Sequence, residues 1–549
     1  MKTVFVLFDS LNRLALGAYG GTAIETPNFD RFAKLAVTFD KHYVGSLPCM
    51  PARRDLHTGR LNFMHRSWGP LEPFDESFAR TLSQNGVYTH LISDHLHYFE
   101  DGGWGYANAF DSWDFIRGQE YDPVKALVVP PVDRIIEKYD ERHYPFAGLK
   151  PGKTMTRHNS EKMAWKKSRA AVNRDFLKEE ADFPTAKCFA SAFEFLDLNA
   201  AADDWFLQLE CFDPHEPFVA PERFRAAYDS GYSGKILDWP VYEKVTNSAE
   251  EIAEIRGNYA ALIAMCDEYF GKLLDYFDAH DLWQDTALVL TTDHGFLLSE
   301  HEWWGKNRTP YYEEISHIPL MIRHPDHSGA AGSRRSGLTQ TPDLMPTFLD
   351  LHGCEVPTSV TGASLLPLLD DEVTVHQSLA LGMFAGPVCV TDGHYSYFRY
   401  PDNPVGEDLN LYTLMPTHMT SHFDIDELKT SELVEPFDFT KGVPLLKIRM
   451  DPKNSQVGAD GTSLAECESV LFDLDADPGQ ETPLSDPTTV DRLTAQISGH
   501  FAQHDAPKEL YAHFGLAPGP NVAGGALRSH NSRKKRPTGE QYDPIQIHH

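Results

Sequence analysis

Val4-Phe5-Val6-Leu7-Phe8, followed directly by Asp9, is a run of five apolar residues that ends at a carboxylate. A continuous apolar run of this length is typical of a strand buried on both faces, as in a parallel sheet. Three later stretches have the same character, at 88–93, 205–210 and 287–292. Helical patterns such as 28–36 and 249–280 lie between them. Strands that alternate with helices predict an α/β fold, with a mostly parallel sheet and helices on both faces.

Three of these predicted strands run into polar side chains. Asp9 follows the first, Asp213-Pro214-His215 follows the strand at 205–210, and Asp293-His294 follows the strand at 287–292. In open α/β sheets, ligands bind at the carboxyl ends of the strands. The sequence therefore predicts a site at one edge of the sheet, built from segments that are far apart in the chain.

The rest of the sequence divides the chain into three parts. Residues 1–385 form the predicted catalytic α/β domain, which contains a charged, irregular insertion at about 115–185. Short apolar stretches at 388–391, 395–400 and 470–474 predict strands of a smaller α+β subdomain over 386–514. Residues 515–549 are rich in Pro, Gly, Asn and basic residues. We interpret them as an extended tail that acts as an arm in a homo-oligomer.

Composition and charge exclude several classes of function. The net charge of −31 argues against a nucleic-acid partner, because such proteins usually carry a basic face. It also requires that any site for an anionic substrate be made locally positive. The seven cysteines are widely spaced with no CxxC pair, which supports neither a disulfide framework nor a structural zinc site. No apolar run reaches about 18 residues, so we predict no membrane span and a cytoplasmic location.

The segment Pro48-Cys49-Met50-Pro51-Ala52-Arg53 carries the most specific chemical signal in the chain. Proline suits the first position of a helix, so a helix is predicted to begin at Pro51. Cys49 would then face the free N–H groups and the positive end of that helix, where an anion is stabilised. Arg53 lies one turn further on and can reach the same place. The alternative is a buried cysteine in front of an ordinary helix.

With Thr58 and Gly59, this segment resembles the signature of the formylglycine-dependent sulfatases, Cys-x-Pro-x-Arg followed by Thr-Gly. Ala52 stands where that family usually has Ser. Further segments are similar to the same family, at 26–33, 343–347, 362–367 and 471–478. The resemblance implies an alkaline-phosphatase-like fold and oxidation of Cys49 to formylglycine by a formylglycine-generating enzyme. The hydrated aldehyde is then the expected nucleophile.

The resemblance also implies a site for one divalent cation. It places the ligands at Asp9, at Cys49 in its formylglycine form, at Asp293 and at His294. Carboxylates suit a hard ion, so Ca²⁺ is expected, although an imidazole also suits Mn²⁺ or Zn²⁺. Many family members have a second carboxylate or amide after the first Asp. Ser10 stands there in this chain, which leaves one ligand open.

The resemblance also implies catalytic roles for several other residues. His215 matches a histidine that faces the leaving group, and Lys306 matches a lysine that touches the sulfate. The alternatives are a histidine bonded to a loop carbonyl and a solvated surface lysine. His97 matches a histidine that removes a proton from the hydrated aldehyde. A family lysine just before it falls on Asp94 or His95, so one positive charge is missing, and His95 is either a ligand contact or a structural histidine.

These positions predict a sulfatase of the arylsulfatase type that acts on a small anionic ester. The missing positive charge keeps open a phosphonate monoester or phosphodiester hydrolase that uses the same site. A bare Cys49 thiolate on a soft metal is a further alternative, but the carboxylate ligands suit a hard ion. A non-catalytic binding protein on this scaffold is disfavoured by the nearly complete catalytic set. Trp104, Trp303 and Trp304 either stack on an aryl or sugar ring or belong to the core.

Overall fold

The computed structural model describes residues 1–307, 310–403, 406, 408–451 and 467–519. From residue 520 onward the predicted oligomerisation arm, with its basic run at 533–536, lies outside the described residues. All seven cysteines lie within them, and all are free, as their spacing predicts. Among the helices described, none combines the length and the apolar character that crossing a bilayer requires.

A large sheet forms the centre of the molecule. In chain order the strands are β1 (Lys2–Phe8), β2 (Val37–Tyr43), β3 (Tyr88–Ser93), β4 (Ser112–Phe115), β5 (Trp205–Cys211), β6 (Thr286–Thr292), β7 (Leu297–Leu298), β8 (Trp304–Gly305), β9 (His317–Arg323), β10 (Arg334–Gln340), β11 (Leu379–Gly382), β12 (Val388–Thr391), β13 (Tyr395–Arg399), β14 (Asn410–Thr413), β15 (Glu432–Val434), β16 (Leu445–Arg449) and β17 (Val470–Asp473). Eight strands form one sheet in the order β10-β2-β9-β6-β1-β5-β3-β4. Within it β9 is antiparallel to both neighbours and the other pairings are parallel, which confirms the predicted mostly parallel sheet.

Helices cover both faces of this sheet. In chain order the helices are α1 (Pro27–Leu35), α2 (Cys49–Thr58), α3 (Phe78–Gln84), α4 (Trp104–Ala107), α5 (Val132–Lys138), α6 (Lys162–Arg174), α7 (Pro184–Leu198), α8 (Glu222–Arg225), α9 (Ala249–Ala279), α10 (Glu313–Ser316), α11 (Leu344–Leu351), α12 (Leu366–Asp370), α13 (Ile425–Leu428), α14 (Pro487–Gln503) and α15 (Lys508–His513). Alternate side chains of β1 point to opposite faces. Val4, Val6 and Phe8 pack with α1, α7 and α9, while Phe5 and Leu7 pack with α2, α3 and α11. Burial of each such side chain contributes about 1.5–3 kcal/mol.

The register of the central strands places their ends side by side. β1 pairs in parallel with β5 and with β6, and Phe8 stands opposite both Cys211 and Thr292. Asp9 and Asp293 are the next residues of their chains, so they emerge at the same level of the sheet edge. The carboxyl edge predicted from the strand ends is thus a single place in the fold.

The boundaries of several elements differ from the sequence prediction. The helix predicted to begin at Pro51 begins two residues earlier, at Cys49. Proline is tolerated in the first turn because the N–H groups there have no acceptor within the helix, so it does not mark the first residue uniquely. The insertion at 115–185, predicted to be irregular, contains α5 and α6. Their many charged residues hide a short apolar stripe in the sequence, and this stripe packs in a small separate cluster.

The C-terminal part of the chain consists of smaller antiparallel sheets, as the α+β prediction requires. One has the order β11-β12-β13-β17 and another the order β14-β16-β15. Strand β11 precedes the predicted boundary at residue 385. Helix α14 packs against the first of these sheets.

Candidate active site

The turn after β1 fixes two carboxylates at the centre of the sheet edge. Ser10 has a left-handed backbone, with φ 61°. In this conformation its N–H donates to Asp293 Oδ1 at 3.1 Å and its hydroxyl donates to Asp9 Oδ1 at 2.7 Å. The Tyr259 hydroxyl donates to the Ser10 carbonyl at 2.8 Å. A non-glycine residue in this backbone region is uncommon and typical of functional sites, and here it holds both carboxylates in place.

Four potential ligand residues meet beside this turn. The side-chain donor atoms of Asp9, Cys49, Asp293 and His294 all lie within 4.8 Å of one another, and all four residues are buried. Cys49 Sγ is 3.1 Å from His294 Nε2. His294 Nδ1 is 2.9 Å from the Gly295 carbonyl, which can only accept, so Nδ1 carries the hydrogen and Nε2 has its lone pair free. This is the tautomer that a metal ligand needs.

Arg53 connects the carboxylates of three strands. Its guanidinium donates to Asp293 at 2.5 Å, to Asp9 at 2.9 Å and to Glu210 at 2.8 Å. The sequence predicted that Arg53 would contact an anion at residue 49. In the structure it is fully buried and bridges the carboxylates beside that residue. Burial favours the neutral form of Asp9, yet the charges of Arg53 and Lys306 hold the pKa of its carboxyl well below the ordinary value.

The end of α2 is also fixed, and this holds Cys49 and Arg53 in register. Gly59 follows the helix in the left-handed region, with φ 63°. A Cβ at this position would lie 2.6 Å from Val360 Cγ1, so both the conformation and the space require glycine. Asp55 accepts hydrogen bonds from Ser46 and Asn62, which ties the helix to the segments on either side.

Sequence reasoning missed Glu210. It lies within β5, where Arg53 and the Tyr98 hydroxyl donate to its two oxygens at 2.8 Å and 2.9 Å. A carboxylate inside a strand that is mostly apolar was the available signal, because such a group is buried only with partners. The strand-end argument did not find it, since Glu210 precedes the end of the strand.

Lys306 lies at the outer side of the two carboxylates. Its Nζ is 3.9 Å from Asp9 Oδ1 and 3.5 Å from Ser10 Oγ. Lys306 is only 3% exposed, which excludes the solvated surface lysine. Although burial opposes its charge, Cys49 and the acidic groups around it raise the pKa of the Lys306 ammonium above its ordinary value.

His215 is a buried, neutral histidine near the same group. Its Nδ1 donates to the Glu216 carbonyl at 2.6 Å and its ring packs on Phe212. Burial lowers the pKa of His215 to about 3, against the attraction of Glu216. The bond to a loop carbonyl weighed from the sequence is present. It occupies one ring nitrogen and leaves Nε2 for another partner.

The two histidines after β3 occupy different places. His95 is fully buried, with Nε2 3.4 Å from Asp9 Oδ2. His97 lies one side chain further out, with its ring 5.2 Å from the His95 ring and its Nδ1 2.5 Å from Glu100. The structure therefore brings His95, rather than His97, to the carboxylates. The sequence left the role of His95 open.

The donor set fits a divalent metal ion. It offers two carboxylates, an imidazole nitrogen with a free lone pair and the side chain of residue 49. Asp9, Asp293 and Glu210 contribute three negative charges to this group, whereas Arg53 and Lys306 contribute two positive ones. A buried excess of negative charge is costly unless a cation compensates it.

The fold and this group of potential metal ligands are typical of hydrolases of the alkaline-phosphatase-like α/β class. The model of the sulfatase family matches residues 2–354. The chain belongs to the sulfatase family, and its activity is the hydrolysis of sulfate esters.

Known proteins agree with this assignment. The chain is similar to the N-acetylglucosamine-6-O-sulfatase of Bacteroides thetaiotaomicron, with 26% identity over 412 residues, or 67% of this chain and 71% of that protein. Among solved structures, a protein in complex with its substrate D-glucosamine-2-N,6-O-disulfate has a TM-score of 0.60 at 17% identity, covering 92% of this chain and 98% of that one. The phosphonate monoester hydrolase of Agrobacterium radiobacter has a TM-score of 0.58 at 17% identity, covering 92% and 96%. The predicted alkaline-phosphatase-like fold is confirmed.

Proposed function

We propose that the nucleophile of this sulfatase is a formylglycine made from Cys49. The supporting observation is the position of Cys49, in the first turn of α2, with Sγ 3.1 Å from His294 and within 4.8 Å of two carboxylate ligands. Once hydrated, the aldehyde supplies one hydroxyl that attacks the ester and a second whose deprotonation releases sulfate. A formylglycine-generating enzyme is the proposed maturation partner.

Asp9, Asp293, His294 and residue 49 would hold the divalent ion. When bound, the ion supplies a positive charge that lowers the pKa of the attacking hydroxyl and offsets charge on the sulfate oxygens. We propose Ca²⁺, because carboxylates dominate the donor set, and Mn²⁺ as the alternative, because of the imidazole. The Ser10 hydroxyl lies between Asp9 and Lys306, where it can complete the shell.

The remaining residues act on charge and protons around the ester. Lys306 carries a fixed positive charge that binds the sulfate group. His215 presents Nε2 on the leaving-group side, and His95 or His97 accepts the proton of the second hydroxyl. Donors aimed at charge that develops in the transition state contribute about 3–4 kcal/mol each. These cations also meet the requirement for a locally positive site in an acidic protein.

A phosphonate monoester or phosphodiester activity is the second candidate. The observation that favours it is the absence of the family lysine at the position of Asp94 or His95, which removes one sulfate-binding charge. The sulfatase family match favours the sulfate ester as the main substrate.

Two measurements on one preparation test the proposal. Mass analysis of the peptide that contains residue 49 should show the aldehyde about 18 Da below cysteine, as replacement of CH₂SH by CHO requires. The same enzyme should then have a higher kcat/KM for an aryl sulfate than for a phosphonate monoester. An intact thiol in fully active enzyme would exclude formylglycine, and the reverse substrate preference would select the second candidate. The cytoplasmic location and the homo-oligomer stay predictions from the sequence.

A further inference from the structure

The potential metal ligands that follow β1 and β6 lie on two turns, the first at 9–12 and the second at 293–296. The two strands pair in register as far as Phe8 and Thr292, which come one residue before these turns. Within the part of the chain that the structure describes, every hydrogen bond that joins the first turn to the second uses a side chain. The spacing of the ligands beyond the end of the sheet therefore depends on a few side chains.

Asn12, at the end of the first turn, bonds to the second turn with both ends of its amide. Its Nδ2 donates to the Phe296 carbonyl at 2.8 Å, and its Oδ1 accepts from the Phe296 N–H at 2.6 Å. The fit is close, because a Cβ on Gly295 would lie only 2.8 Å from Asn12 Oδ1. Asn12 is 8% exposed, so water competes little for these two hydrogen bonds.

A single peptide group connects Asn12 to the ligand His294. The carbonyl of Gly295 and the N–H of Phe296 belong to the same planar peptide unit. Asn12 binds the N–H end of this unit, and His294 donates from Nδ1 to its carbonyl end at 2.9 Å. Hydrogen bonds at the two ends polarise the peptide in the same direction, which strengthens both. Asn12 thereby acts on the orientation of the His294 ring, whose Nε2 is the potential metal donor.

Tyr259, from α9, fixes the first turn from behind. Its hydroxyl accepts from the Asn12 N–H at 3.0 Å and donates to the Ser10 carbonyl at 2.8 Å. The Ser10 N–H in turn donates to Asp293, and the Ser10 hydroxyl donates to Asp9. Tyr259 is 1% exposed. Both ligand turns are therefore connected to one buried phenol through hydrogen bonds that do not require an ion.

We propose that Asn12 and Tyr259 are positioning residues, which hold the two ligand turns at the spacing that the divalent ion requires. The inference rests on the metal site of the proposed function and is independent of the nucleophile and of the ester. Residues that bind metal ligands from outside typically contribute about 10–100-fold to the affinity for the metal. Loss of either residue should therefore weaken ion binding even though Asp9, Asp293 and His294 are all present.

Metal binding without turnover tests the proposal. Calcium chloride, or manganese chloride in a parallel series, is titrated calorimetrically into the full-length protein after removal of metal with EDTA. Asn12→Ala should raise the Kd by about 10–100-fold, and Tyr259→Phe, which keeps the ring, by about tenfold. The matched controls are Asn173→Ala, at a buried asparagine of the insertion that also donates to backbone carbonyls, and Tyr269→Phe, on the same helix as Tyr259. Both controls should keep the wild-type Kd.

Two further measurements separate positioning of the ligands from a general loss of stability. A residue with a merely structural role would lower the unfolding temperature of the metal-free protein and leave unchanged the gain that a fixed Ca²⁺ concentration produces. Asn12→Ala should instead reduce that gain, because the gain depends on the Kd for the ion. In enzyme modified at residue 49, excess ion should restore most of the turnover of 4-nitrophenyl sulfate by Asn12→Ala.

Asp293→Asn, which changes a ligand itself, distinguishes failure of this inference from failure of the proposed metal site. A weakened Kd in Asp293→Asn together with an unchanged Kd in Asn12→Ala and Tyr259→Phe would overturn the positioning role alone. An unchanged Kd in all three variants would reject the ligand assignment as well. Equal losses in the matched controls, or a loss of turnover that excess ion does not restore, would also overturn the positioning role.

Discussion

The centre of the site and the insertion at 115–185 hold charge in opposite ways. In the centre, Arg53 meets three carboxylates, and none of these side chains is more than 2% exposed. In the insertion, Arg157 and Lys162 are exposed, and neither forms an ion pair within 4.0 Å with another described residue. Buried charges require partners in fixed positions, because desolvation costs several kcal/mol per ion, whereas exposed charges contribute little to stability. The sheet thus fixes the reactive groups through buried pairing, while the charges of the insertion are not needed for the stability of the fold.

The largest expected effect lies in the centre, at the nucleophile. Cys49→Ala should lower kcat/KM for 4-nitrophenyl sulfate by roughly 10⁴-fold or more, because no other group can replace the nucleophile. Cys354→Ala, at a partly buried cysteine, is the matched control and should keep wild-type activity. Retention of more than about a hundredth of the activity by the Cys49 variant would contradict the role of residue 49.

Replacement of Arg53 tests whether charged residues in the two regions contribute differently to the free energy of unfolding. Arg53→Met should lower the free energy of unfolding by about 3–5 kcal/mol, because it leaves Asp9, Asp293 and Glu210 buried without their shared partner. Arg157→Met, in the insertion, should change it by no more than about 0.5 kcal/mol. Urea denaturation of both variants measures the contrast. Similar losses would show that the two regions do not differ as described.

A second contrast lies within the site, between His95 and His97. His95→Gln should lower kcat roughly 100-fold, because His95 touches Asp9 at the ligand cluster. His97→Gln should lower it only about tenfold, because His97 is bonded to Glu100 and lies further out. Steady-state rates across a pH series compare the two. The reverse order would give His97 the proton-accepting role expected from the sequence.

A smaller effect comes from the buried histidine at the far end of α2. His57 packs on Phe78 and Tyr106, and burial lowers its pKa to about 3. The unfolded chain binds a proton near pH 6.5 that the folded chain excludes, so stability is complete above about pH 6.5 and falls as the pH is lowered. Between pH 7.5 and 5.5 this group alone should remove about 1.4 kcal/mol.

The contribution of His57 is measured as the change in the free energy of unfolding with pH. His57→Gln should reduce the loss of unfolding free energy between these pH values by that amount, whatever its effect on absolute stability. An unchanged slope would show that His57 is not neutral in the folded protein.

Much of the central site could be predicted because neighbouring parallel strands end at the same edge of the sheet. Asp9 and Asp293 follow apolar runs whose ends the sequence marks clearly, so their proximity was expected. Glu210 was missed because only the residues that follow each predicted strand were considered as site residues, and Glu210 is the last residue of the strand predicted at 205–210. His95 and His97 could not be ranked, because they are two residues apart around a short turn at 96–99 whose direction the spacing does not reveal.

The helices of the insertion could not be predicted for a different reason. Helix α6 carries mostly polar and charged residues, and its apolar stripe packs in a small cluster away from the main core. A pattern of this kind looks irregular in the sequence. Which of its lysines are buried depends on contacts between distant segments, which local patterns do not encode.

Strand β1 lies in the middle of the sheet, and this delays completion of the sheet during synthesis. Its partners β5 and β6 are complete only at residues 211 and 292, so a nascent chain cannot finish the middle of the sheet until long after residue 49 has left the ribosome. At about 5–20 residues per second, this leaves roughly 10–50 seconds. Cys49 is 1% exposed in the finished fold, so the proposed conversion to formylglycine would have to occur within that interval. Under the proposed function, a chain that completes its sheet with an unmodified Cys49 would stay inactive.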